Sequence, residues 1–125
     1  MRVLLDTVTL IWALLCPEQL SRRAVAALEK ADIREISAIS LSELAIKHGI
    51  GKIEFNAQDS RDGIADLQLH VLPYTAAHAW ELFRLPLHHA DPFDRQIIAQ
   101  AVAEDIPIVT SDAKFKLYKE VSVIW

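Results

Sequence analysis

Apolar positions along this chain switch repeatedly between two spacings. Val3, Leu4 and Leu5 form a short continuous run, the pattern of a strand covered on both faces, as parallel strands are in α/β proteins. From Thr7 onward Ile11, Trp12, Leu14 and Leu15 recur at helical spacing until Pro17 closes the segment. Ser21 is placed to cap a second helix carrying Ala24, Val25 and Leu28 and ending near Lys30. A strand is expected over residues 35–39. A helix should follow, opened by a Ser40 to Glu43 capping box and stopped at Gly49, whose missing Cβ suits a left-handed cap. Residues 50–56 show no period. Beyond them the pattern predicts a helix over 59–68, a strand over 69–72, and a helix over 75–85 with Trp80 and Phe83 on its apolar side. His70 and His78 read as surface or half-buried residues. Asp91 followed by Pro92 is a strong helix start, because an aspartate oxygen accepts orphan amide hydrogens and proline tolerates the first helical position. Ile97, Ile98, Ala101 and Val102 continue that helix. A buried strand over 106–109, a helical turn near 113–118 and a last strand over 121–124 complete the chain. Five strands alternating with helices predict a three-layer α/β/α sandwich around a central five-stranded parallel sheet with right-handed crossovers.

Composition narrows the class. With 125 residues, 52% of them hydrophobic, the chain can bury one core, and a single domain over residues 1–125 is expected. The formal charge of −4 argues against a general nucleic-acid coat, since sequence-independent phosphate binding rests on many lysines and arginines. It allows an acidic pocket. Cys16 is alone, so no internal disulfide can form; a reducing compartment and burial as a small hydrophobe are expected. The N-terminal run VLLDTVTLIWALLC is interrupted by Asp6 and preceded only by Arg2. It is shorter than the roughly 20 apolar residues that span a bilayer. The expectation is a cytoplasmic protein with no membrane partner.

The chemistry-bearing residues fall at element boundaries. Asp6 follows the first strand, Glu43 opens the helix after the second, Asp94 opens the helix before the fourth, and Asp112 follows the fourth. In an open parallel sheet the carboxyl ends of the strands share one edge, and the ligand crevice lies there. Each acid also has a plain structural use: Asp91 and Asp94 can cap a helix and complement its dipole, and Glu43 can pair with Lys47 one turn on. Gathered together, four carboxylates would repel one another unless a cation intervened. All-oxygen surroundings suit Mg²⁺ or Mn²⁺, which can activate a water and neutralise charge on a phosphodiester. Amides at the adjoining helix N-termini favour a phosphate in the same place.

Four stretches, LLDT at residues 4–7, SAISLSELAIK at 37–47, HHADPFDRQIIAQA at 88–101 and VTSD at 109–112, together resemble the PIN-domain family. More narrowly the chain is similar to VapC-type toxins of bacterial toxin-antitoxin pairs, and the likeness spans nearly all of it. The resemblance implies a metal-dependent endoribonuclease that cleaves RNA with Mg²⁺ or Mn²⁺, is normally a homodimer, and is held inactive by a small cognate antitoxin. Carried over, the family's acidic quartet of catalytic metal ligands falls on Asp6, Glu43, Asp94 and Asp112. Asp94 is chosen over Asp91 for its distance to the apolar IIAQA run, leaving Asp91 as a helix cap or auxiliary ligand. Thr7, Thr110 and Ser111 are candidate hydroxyls behind the ligands, and Lys47, His89 and Arg95 are candidate RNA contacts. Two departures stand out: Val8 where many close relatives have histidine, and Ser42 where many have an aromatic residue.

Other readings compete. A phosphoacceptor receiver domain also has an acidic pocket at strand ends, but it needs an acidic pair after the first strand and an aspartate after a central one; neither is present. A non-catalytic interaction module would leave every carboxylate as a cap. A mixed site of His88, His89 and Asp91 is opposed by the divergent directions of adjacent side chains. Cys16 as a nucleophile lacks a nearby basic partner. An apolar groove near Ile11, Leu14 and Leu15 is the expected antitoxin surface.

Overall fold

A computed structural model describes residues 1–125. Its strands are β1 (Arg2–Leu5), β2 (Ile33–Ser37), β3 (Leu69–Leu72), β4 (Ile108–Val109) and β5 (Val123–Ile124). Its helices are α1 (Thr7–Leu15), α2 (Arg22–Lys30), α3 (Ala38–Gly49), α4 (Ala57–Asp66), α5 (Ala76–Arg84) and α6 (Pro92–Glu104), with short 3-10 turns at Pro17–Gln19 and Ala113–Leu117. The sheet is parallel throughout, in the order β3-β2-β1-β4-β5. The winding direction therefore reverses between β1 and β4, where Leu5 stands beside Val109.

Alternation along β1 divides the core between two faces. Leu4 packs with Ile97, Ile98 and Ala101 of α6 and with Phe115 and Tyr118. Val3 points the other way, onto Ala24 of α2, and Leu5 onto Leu10 of α1, Leu44 of α3 and Phe55. Helices on both faces of one sheet make the α/β/α layering predicted above. Beneath α5 and α6 the sheet also carries a polar seam. The Arg2 guanidinium donates to both Glu35 oxygens at 3.0 and 2.9 Å and to Glu104 at 3.1 Å. His78 bridges Glu104, 3.0 Å from Nε2, and the Thr75 amide, which donates to Nδ1 at 3.0 Å. Gln100 is fully buried between Ser37 and the Pro73 carbonyl. No buried side-chain polar atom lacks a partner, so the seam costs little beyond its desolvation.

Several expectations need correcting. β2 starts and ends two residues before the expected strand, and its last residue Ser37 caps α3 by accepting the Ile39 amide at 2.9 Å. The predicted Ser40 to Glu43 capping box is therefore absent, and both residues sit inside the helix, buried. Gly49 remains helical; Gly51 takes the left-handed φ of +76° instead. α4 begins earlier than predicted because Asn56 and Asp59 form a reciprocal capping box. Trp80 and Phe83 do not line an apolar face of α5: they are 68% and 82% exposed and stack on each other with centroids 5.6 Å apart. The buried residue of that helix is His78, at 2% exposure, where a surface or half-buried position was expected.

Candidate active site

The edge at the β1/β4 reversal is built from hydroxyls and carboxylates. Asp6 leaves β1 and caps α1, its Oδ1 accepting the Thr9 amide at 2.9 Å. Its other oxygen accepts the Thr110 hydroxyl at 2.6 Å, and Thr110 Oγ1 in turn accepts the Asp112 amide at 3.0 Å. One threonine thus ties the end of β1 to the end of β4. Asp6 is nearly inaccessible, and burial pushes its carboxyl above the ordinary range, opposed by the Thr110 and Thr9 bonds. Asp112 caps the 3-10 turn through the Lys114 amide at 2.9 Å. Glu43 reaches the edge from α3. Its Oε1 lies 2.6 Å from the Thr7 hydroxyl, which is also 2.9 Å from Ser40 Oγ, and its Oε2 takes the Lys47 ammonium at 2.7 Å.

Asp94 completes the group. Its helix runs back along the sheet and enters β4 after a short connection, so its first turn lies at the carboxyl edge. Burial, then the charges of Asp91, Glu43, Asp112 and Asp6, push its carboxyl up to about 7. A carboxylate so raised is a signature of crowded negative charge and of functional sites generally. Asp91 caps α6 through one oxygen, Oδ1 accepting the Phe93 and Asp94 amides at 2.9 and 3.1 Å. His89 Nε2 stands 3.4 Å from Asp94 Oδ2.

These acids do not form a closed cage: no three His, Cys, Asp or Glu side chains stand close enough together to hold one ion between them. Three of them take protein donors, Thr110 and Thr9 for Asp6, Thr7 and Lys47 for Glu43, and the Lys114 amide for Asp112. The donor chemistry fits a hard divalent cation all the same. It is all carboxylate, and four acids act on Asp94 at once.

The PIN domain model matches residues 3–121. The chain belongs to the PIN domain family. No curated protein matches the sequence. Among solved structures, VapBC2 from Rickettsia felis bound to a DNA fragment from its promoter shares 22% identity at a TM-score of 0.75, covering 98% of this chain and 97% of that one. DNA-bound VapBC from Salmonella typhimurium shares 20% at 0.70, covering 98% and 96%. VapBC-5 from Mycobacterium tuberculosis, a member of the VapBC family of toxin-antitoxin systems, shares 18% at 0.64, covering 98% and 96%. At such identities the likeness is one of fold.

Within this PIN domain the remaining sequence candidates divide. Thr7 and Thr110 each hold an acid, whereas Ser111 is exposed. Lys47 lies at the crevice but is paired to Glu43, whose hydrogen bond, with the charges of Glu43, Asp91 and Asp94, raises its ammonium against the opposing effect of burial. Arg95, expected as an RNA contact, turns away: it donates to the Pro86 and Leu85 carbonyls at 2.7 and 3.3 Å and to the Tyr118 hydroxyl at 3.1 Å. Residue-by-residue reading missed Ser40 and Tyr118. Ser40 reads as a cap, and Tyr118 carries no motif, standing among Lys116, Lys119 and Glu120 with nothing to mark its ring as buried.

Proposed function

We propose that this PIN domain, taken as one unit over residues 1–125, is a Mg²⁺- or Mn²⁺-dependent endoribonuclease acting as the toxin of a toxin-antitoxin pair. The observation that carries the reading is the convergence of Asp6, Glu43, Asp91, Asp94 and Asp112 at the sheet's switch point, close enough that the other four charges, with burial, raise the Asp94 carboxyl. Such crowding is costly in a protein whose only use for the residues is capping, and it is relieved by a dication. Asp6, Glu43, Asp94 and Asp112 would hold the ion, in part through the waters that Mg²⁺ keeps in such sites. When bound, it supplies charge neutralisation and a water of lowered pKa. The chain supplies the rest. Thr110 and Thr7 fix the rotamers of Asp6 and Glu43. Lys47, already at the edge, adds positive charge where a phosphate would sit. The shared fold with VapBC toxin-antitoxin proteins supports a small antitoxin partner for this chain as well, and a homodimer is part of the same proposal.

The test is cleavage of an RNA pool by purified protein. We expect activity with Mg²⁺ or Mn²⁺, none with EDTA, and loss by more than roughly 100-fold in Asp6→Asn and Asp94→Asn, since even partners of metal ligands reach that range. EDTA-insensitive cleavage would sink the metal mechanism. Absence of cleavage under all metals would favour the interaction-module reading.

A further inference from the structure

His89 occupies a position that the acidic quartet does not explain. Its side chain is only 9% exposed, and both ring nitrogens are engaged, which leaves no free edge for an RNA base or phosphate. Nδ1 is 2.7 Å from the Tyr118 hydroxyl, and that hydroxyl already accepts an N–H from Arg95 at 3.1 Å. Tyr118 has one proton to give, and arginine can only donate. The proton therefore points at His89 Nδ1, and the imidazole carries its own hydrogen on Nε2, facing Asp94 Oδ2 at 3.4 Å. Tyr118 is itself fixed, 1% exposed and flanked edge-on by the His88 and His89 rings at 4.8 and 5.5 Å. Arg95 is anchored by the Leu85 and Pro86 carbonyls.

We infer that His89 is a positioning residue for the proposed nuclease site: the Arg95–Tyr118–His89 chain sets its Nε2–H to hold one oxygen of Asp94 and turn the other toward the cation. The inference rests on the nuclease reading. Among the four acids, Asp94 is the one with neither a hydroxyl, an ammonium nor a backbone amide donating to its side chain, so His89 alone can orient it. A metal-ligating group is normally held by such an outer partner, and losing one costs about 10- to 100-fold in metal affinity.

The experiment is Mn²⁺ binding by calorimetry without RNA, paired with cleavage kinetics, on the full chain. His89→Phe should weaken Mn²⁺ binding about tenfold or more and lower kcat, with KM for RNA unchanged. His89→Gln, whose amide places an N–H where Nε2–H was, should recover most of the affinity. Tyr118→Phe, which keeps the ring volume but frees the tautomer, should fall between His89→Phe and wild type. Thermal melting monitors folding of each variant. Unchanged Mn²⁺ affinity in His89→Phe would overturn the inference, as would a His89→Gln protein no better than His89→Phe. A change confined to KM for RNA would overturn it too, and make His89 a substrate contact. Wild-type protein that takes up no Mn²⁺ would instead fail the nuclease reading itself, which separates the two outcomes.

Discussion

Asp94 shows how one side chain can oppose the fold that carries it. Its carboxyl is raised to about 7, first by burial and then by Asp91, Glu43, Asp112 and Asp6. The folded, ion-free protein thus holds this proton more tightly than the unfolded chain does. The stability it contributes is complete below about pH 4 and is lost as pH rises through about 7. Asp94→Asn cannot lose it. In EDTA at pH 8 that variant should exceed wild type by on the order of 2 kcal/mol in urea unfolding, and the gap should narrow as pH falls below 7 and close below about pH 4. A gap independent of pH would refute the electrostatic origin. At this scale the sequence is partly legible. Asp6, Asp94 and Asp112 could be placed because strand ends and helix starts leave marks in apolar spacing. His78 and Arg95 could not: one polar residue on a helix has no period, and only the distant Glu104 and Tyr118 reveal where each turns.

At the scale of elements, the misreadings share one cause, which is competition between neighbouring residues suited to the same job. Ser37 and Ser40 can both cap a helix, and Ser37 wins because β2 delivers it to the edge with Gln100 waiting for its hydroxyl. That shift frees Ser40 to face Thr7 inside the site. Gly49 and Gly51 compete in the same way for the left-handed turn. Where one candidate stood alone the sequence sufficed, as at β3, found over residues 69–72, and at Asp91–Pro92. Asp91 also allows its two possible roles to be separated. Its Oδ1 caps α6, so Asp91→Ala should lose about 1 kcal/mol while Asp91→Ser, which restores a capping oxygen, should not. Serine is a poor ligand for a hard dication compared with a carboxylate. Retained cleavage by Asp91→Ser would mark Asp91 as a cap, and lost cleavage with normal stability would make it a ligand.

Across the whole molecule, charge and topology act together. The parallel order β3-β2-β1-β4-β5 brings residues from opposite ends of the chain to one edge, and alternation of strands and helices in the sequence already implied that sheet. What could not be read is which donors hold the acids, because hydroxyl partners such as Thr110 and Thr7 are chosen by packing rather than by spacing. With a formal charge of −4, the chain has no global field to draw RNA in. A cation at the acidic edge would both tighten the fold and offset part of the local negative charge. Binding only to the folded state, Mn²⁺ at about 100 times its Kd stabilises by roughly 2.7 kcal/mol. Protons compete for the same oxygens, so the gain should be larger at pH 8 than at pH 6, on either side of the Asp94 value near 7. Thermal melting of wild type should therefore show Tm falling with pH in EDTA and rising most on Mn²⁺ addition at pH 8. Asp94→Asn should respond little to either. A wild-type Tm indifferent to Mn²⁺ at pH 8 would mean that the crowded carboxylates serve no ion.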